Sequence, residues 1–175
     1  MRCIAEMEIS VDYQSHTHEF PPVWDGNSKI LILGSFPSVK SREQGFFYGH
    51  PRNRFWNVLA AVLGCTEPQT IEEKKKMLLT NGIALWDVIA SCEIRGSSDS
   101  SIRNVEPNDF SKILEQSEIQ AIFANGQTAG KLYHKYVEER TGICAVTLPS
   151  TSPANAAWSL NQLVDSYEKE LKKWL

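Results

Sequence analysis

No stretch of this sequence approaches the roughly 18 consecutive apolar residues that a membrane helix requires. Its opening, MRCIAEMEISVDYQSH, is too polar and acidic for a secretory signal, so the expected location is cytoplasmic. Cys3, Cys65, Cys92 and Cys144 stand singly with no CxxC pair, which argues against a zinc site or a local disulfide framework. Neither sign of charge dominates: 18 Lys and Arg against 21 Asp and Glu leave a net −3, so any nucleic-acid role needs a local basic face. Also missing are the GxxxxGKS/T phosphate loop, the GxGxxG dinucleotide turn and the GxSxG nucleophile elbow. His16 and His18 lie two apart in a polar segment and read as solvated side chains rather than metal ligands. Repeats and low-complexity tracts are absent.

What is present is a chain of 175 residues, 42% hydrophobic, long enough to bury a substantial core as a single domain over 1–175. The first 28 residues form an extension without clear periodicity. Beyond them, strand-like and helix-like segments alternate, which predicts an α/β layered fold. KILIL at 29–33, stopped by Gly34, reads as a strand buried on both faces of a parallel sheet. FWNVLAAVL at 55–63 reads as a helix closed by Gly64, and Thr70 with Glu73 forms a capping box opening a helix towards Asn81. Further strands are expected at 83–88, 119–124 and 143–148, with a short helix around 110–116 and a crossover helix over 127–140. Leu160, Leu163, Val164, Tyr167, Leu171, Trp174 and Leu175 recur at three and four, predicting an amphipathic closing helix.

Ligands of open parallel sheets bind outside the carboxyl ends of the strands. Here those ends run into GSFPS at 34–38, Asp87, Asn125-Gly126-Gln127 and PSTSPA at 149–154. A second feature is the basic, aromatic stretch from Lys40 to Arg54. Lys40, Arg42, Arg52 and Arg54 are opposed by Glu43 alone, with His50, Phe46, Phe47, Tyr48 and Phe55 interleaved. That mixture suits a surface that meets phosphates and stacks bases, and equally a solvated loop over an aromatic cluster.

GSFPS at 34–38, GFFYGHPRNRFW at 45–56, LWDVIASC at 85–92, ANG at 124–126 and LPSTSPA at 148–154 occur in colinear order. In that combination the chain resembles the uracil-DNA glycosylase superfamily, most of all its hypoxanthine-DNA glycosylase branch. The resemblance implies a three-layer α/β/α domain with a central four-stranded parallel sheet of order 2-1-3-4. It also implies a monofunctional enzyme that flips a deaminated nucleotide out of DNA and hydrolyses its N-glycosidic bond, with no cofactor and no metal. Some branches hold an iron-sulfur cluster on four cysteines, and the spacing here matches none. The implied partner is DNA containing deaminated bases, without a membrane or an obligate protein partner.

Glycosidic cleavage needs a positioned water and stabilisation of charge on the departing base. In most branches a first-motif Asp or Asn positions the water where this chain has Phe36. The resemblance then places that task on Asn53, which also suits a helix N-cap. Gly34 would allow close approach of the backbone, Phe36 would wall the base pocket, and Tyr48 would stack on the flipped base. His50 would bond the base or a phosphate. Asp87 stands where uracil-specific relatives carry an asparagine; an ionised carboxylate only accepts hydrogen bonds and so would take N1–H of hypoxanthine. Ser150, Thr151 and Ser152 would hold the DNA backbone, with Pro153 and Ala154 near the minor groove and Arg52 and Arg54 at phosphates. Two other readings stay open: a uracil or mismatch-uracil glycosylase, and a noncatalytic module that binds lesion DNA.

Overall fold

A computed structural model describes residues 12–175; residues 1–11, with Cys3 and that part of the N-terminal extension, lie outside the described residues. The chain begins with β1 (Gln14–Thr17) and passes through β2 (Ile30–Gly34) to α1 (Val39–Gln44), α2 (Phe55–Leu63) and α3 (Ile71–Thr80). Then come β3 (Ile83–Asp87), β4 (Ile89–Ile94) and β5 (Arg103–Pro107), followed by α4 (Ser111–Glu115) and β6 (Ala121–Asn125). The crossover to the last parallel strand is α5 (Gln127–Tyr136) and α6 (Glu138–Thr141); β7 (Ala145–Leu148) and α7 (Leu160–Leu171) complete the fold.

Four strands form the expected parallel sheet in the order β3-β2-β6-β7, which is 2-1-3-4 along the chain. Every residue of β2 is buried, as a central strand covered on both sides must be. Successive side chains point to opposite faces, so β2 seeds two cores. Ile30 and Ile32 join Phe55, Leu59 and Leu78 with Leu163, Tyr167 and Leu171 under α2, α3 and α7. Leu31 and Leu33 pack with Ile94, Phe110 and Tyr133 on the opposite side. Both anticipated caps are present: Gly64 closes α2 at φ 65°, and Thr70 and Glu73 exchange their hydrogen bonds at the start of α3. The α7 stripe ends at Leu171, leaving Trp174 and Leu175 exposed.

The second face differs from expectation. Beside α5 it carries a three-stranded antiparallel sheet of order β1-β4-β5, into which the N-terminal extension is built. β4 continues almost directly from β3, and the irregular pairing of β4 with β5 includes two register shifts. At the tip of this hairpin, a single 3₁₀ turn over Asp99–Ser101 reaches the carboxyl edge of the parallel sheet.

Candidate active site

The carboxyl ends of the parallel strands open onto a pocket of about 540 Å³, a volume ordinary for a small organic group. Gly34 at the end of β2 and Phe36 just beyond it, Tyr48, His50 and Asn53 before α2, Asp87 at the end of β3, and all of 150–154 line it. The hairpin tip adds Ser97, Ser98, Asp99 and Ser100. Arg52 is exposed on the loop outside this lining.

Asn53 sits in a tight turn that opens α2. Its Oδ1 accepts the Phe55 N–H at 3.0 Å and the Thr151 hydroxyl at 2.9 Å, so the amide orientation is set by its neighbours. The oxygen's two acceptor positions are filled, and Nδ2 is left without a protein partner among the described residues. Thr151 is fully buried. Its N–H donates to Asn125 Oδ1 at 3.0 Å and its hydroxyl accepts from Asn125 Nδ2 at 2.9 Å. Asn125, Thr151 and Asn53 thus form a bridge from the end of β6 through the loop after β7 to the start of α2.

Two expectations change here. Thr151 does not face a DNA backbone, because its polar groups are consumed inside the bridge. Arg54 is not a free phosphate contact either: its guanidinium donates to the carbonyls of Ser152 and Asn155, each at 3.0 Å, and to that of Trp158. Ser150 and Ser152 remain available. Their Oγ atoms accept the N–H of Ser152 and Ala154, each at 3.2 Å, in short hydroxyl turns that leave the hydroxyl protons to donate outward. Pro153 is half-buried and Ala154 exposed beside them. His50 Nδ1 accepts the Arg52 N–H at 3.1 Å, which in the neutral ring leaves the proton on Nε2.

The floor is acidic and tightly closed. A Cβ on Gly34 would lie 2.3 Å from Asp87 Oδ1 and 3.1 Å from the Tyr48 hydroxyl, so only glycine admits both. Tyr48 adopts the left-handed region at φ 53°, a conformation costly for an aromatic residue. It is held there by Phe55, whose ring stacks on one face at 4.0 Å. Its hydroxyl is buried, with the Asn125 side chain beside it but no hydrogen bond of good geometry among the described residues. Burial, and next the charge of Asp87, push this phenol far above the ordinary tyrosine range and keep it protonated. Phe36 is buried against the pocket, with the Arg42 guanidinium 5.7 Å from its ring centre.

Beneath the floor lies the largest departure from the sequence reading. His18 is not solvated: its side chain is 3% exposed and its Nε2 lies 2.8 Å from Asp87 Oδ2. The first residue beyond β1, it crosses β4 with its N–H on the Ala90 carbonyl at 2.7 Å. Asp99 was missed as well. Its carboxylate accepts the Ser35 hydroxyl at 3.3 Å. Asp99 is exposed as a residue, yet partial loss of water around its carboxylate raises its pKa; the Ser35 bond opposes the shift and the Asp87 charge adds to it. Among the described residues no three His, Cys, Asp or Glu side chains gather as a metal site, and Cys65, Cys92 and Cys144 are free thiols. Nor is any described helix long and apolar enough to cross a membrane.

The chain is similar to two proteins named hypoxanthine DNA glycosylase. One, from Methanosarcina acetivorans, is 39% identical over 145 residues, 82% of this chain and 90% of that protein. The other, from Methanosarcina barkeri, is 34% identical over 139 residues, 78% and 86% of the respective chains. A solution NMR structure of a candidate uracil DNA glycosylase from Methanosarcina acetivorans superposes with a TM-score of 0.75 and 37% identity, over 88% of this chain and 95% of that one. The sequence profile of the uracil DNA glycosylase superfamily matches residues 21–174, nearly the whole described fold. With the parallel sheet in the anticipated order and the five motifs gathered at its carboxyl edge, the chain belongs to the uracil DNA glycosylase superfamily.

Proposed function

We propose that this protein is a monofunctional DNA glycosylase that excises hypoxanthine from deoxyinosine. The observation that carries the reading is the 39% identity to a hypoxanthine DNA glycosylase over 90% of that protein's length. The pocket supports it, because it is concave, closed on one side by Phe36 and Tyr48, and open towards a rim of Ser150, Ser152 and Arg52 suited to a phosphate backbone.

In the reaction the C1′–N9 bond breaks with its electron pair passing to the base, and the sugar gains oxocarbenium character. A water oxygen then bonds to C1′, that water gives a proton to solvent, and the base anion takes one up. Asn53 meets this chemistry with its NH₂ group, since its carbonyl is engaged by Phe55 and Thr151. A fixed donor at that place stabilises the charge growing on the base, and can hold the attacking water by one lone pair of its oxygen. His50 Nε2–H is a second donor at the same mouth. The Asp99 carboxylate in the pocket lining favours the positive sugar. DNA meets Arg52 and the Ser150 and Ser152 hydroxyls, while Pro153 and Ala154 lie beside the opened duplex.

The test is base release from labelled duplexes carrying deoxyinosine, deoxyuridine or no lesion, read as alkali-labile breaks with Asn53→Ala in parallel. Cleavage at deoxyinosine that falls by at least about 100-fold in the variant is expected, the scale for removing one oriented donor. Cleavage at deoxyuridine alone would transfer the activity to uracil. Salt-dependent binding to either lesion without any release would make the chain a binding module.

A further inference from the structure

Burying an imidazole is unfavourable unless both nitrogens are satisfied, yet His18 leaves one of them bare. Its ring is enclosed by Phe20, Phe47, Phe36 and Trp86, at centroid distances of 4.5, 6.0, 6.2 and 6.5 Å. Within that cage Nδ1 is buried with no partner among the described residues. A phenylalanine or leucine would fill such a space without that penalty. What those apolar side chains would lack is the N–H that makes the 2.8 Å bond to Asp87 Oδ2. Asp87 is itself nearly sealed, at 4% exposure, and its other oxygen accepts no hydrogen bond from the described residues. That oxygen, Oδ1, is the one for which Gly34 gives up a side chain, and it shares the pocket floor with the buried Tyr48 hydroxyl, which has only the Asn125 side chain beside it. Three costs, an orphan imidazole nitrogen, a buried carboxylate and a buried phenol, therefore converge on one place.

We infer that His18 is a positioning residue for base selection. By holding Oδ2, it locks the Asp87 carboxylate so that Oδ1 faces the base as a fixed acceptor, next to Tyr48 as a fixed donor. An acceptor beside a donor complements the N1–H and O6 edge of hypoxanthine and rejects the amidine edge of adenine, where N1 accepts and N6 donates. The inference rests on the proposed glycosylase reading and deepens it. It gives the N-terminal strand a part in substrate choice.

The discriminating substrate is 1-methyldeoxyinosine, which keeps O6 and loses the N1 hydrogen. Single-turnover excision of deoxyinosine and 1-methyldeoxyinosine, with enzyme in excess, is compared for the wild type, His18→Phe and His18→Gln. His18→Phe is expected to slow deoxyinosine excision by about tenfold or more, the effect of one lost bond to a charged group. Excision of 1-methyldeoxyinosine should stay within about twofold, since there is no N1–H to read. Glutamine retains an N–H for Asp87, so His18→Gln should restore most of the preference. An equal loss on both substrates, or an unchanged preference in His18→Phe, overturns the inference. If His18→Phe does not fold, a His18→Gln protein that folds normally and has lost the preference overturns it as well, and one that keeps it upholds it. Failure of the wild type to release hypoxanthine at all would instead overturn the functional reading, and this inference with it.

Discussion

At the residue scale, Asp99 brings a second carboxylate near the charge of Asp87 against a single hydrogen bond from Ser35. Its pKa is raised, so the folded state holds that proton more tightly than the unfolded chain does. Stability from this group is then greatest below the ordinary aspartate range and falls as pH rises through the folded value. Asp99→Asn keeps an acceptor for the Ser35 hydroxyl and removes the charge. Because Asp99 is exposed and its charge partly screened, a small rise in melting temperature is expected at pH 7, with the gain vanishing below about pH 4, where the wild-type carboxyl is protonated too. Thermal denaturation of both proteins across that range checks the sign. Much of the site at this scale was legible: Gly34, Phe36, Tyr48, His50, Asn53 and Asp87 all line one pocket. Hydrogen-bond partners were not, because Thr151 and Arg54 belong by type to phosphate contacts as readily as to internal ties. Only the fold reveals that Thr151 has no exposed surface.

At the scale of elements, local signals and burial agree where the parallel sheet is concerned. The capping box of α3 is an example, since Thr70 accepts the Glu73 N–H at 3.1 Å while the Glu73 carboxylate receives the N–H groups of Gln69 and Thr70. Those bonds hold the Glu73 carboxyl below its usual range. Thr70→Ala is expected to cost about 1 kcal/mol, as removal of a helix cap typically does, read as a shift in the denaturant midpoint at unchanged slope. β1, β4 and β5 gave no comparable signal. β1 is largely exposed, β5 is RNVEP with a polar residue at most positions, and the register shifts of β4 break its alternation. Their pairing is a matter of distant partners, such as His16 opposite Cys92, rather than of local pattern. The solvated reading of His18 failed for the same reason: its environment comes from residues far along the chain.

For the molecule as a whole, the net charge of −3 leaves DNA affinity to a few local cations. With Arg54 committed to the 152–158 carbonyls, Arg52 is the exposed arginine of that loop. Arg52→Ala should weaken binding to all duplexes alike and lower the slope of log affinity against log salt by about 1, measured by fluorescence anisotropy at several salt concentrations. A change confined to lesion DNA would assign Arg52 to the base instead. The bridge of Asn125, Thr151 and Asn53 acts at this scale too, because it fastens three separate stretches of chain to one another. A segment fastened in this way loses its conformational entropy when the protein folds and not when a ligand arrives. On the proposed reading, the free energy of DNA association is then not consumed in ordering the enzyme, and more of it is left to unstack a nucleotide.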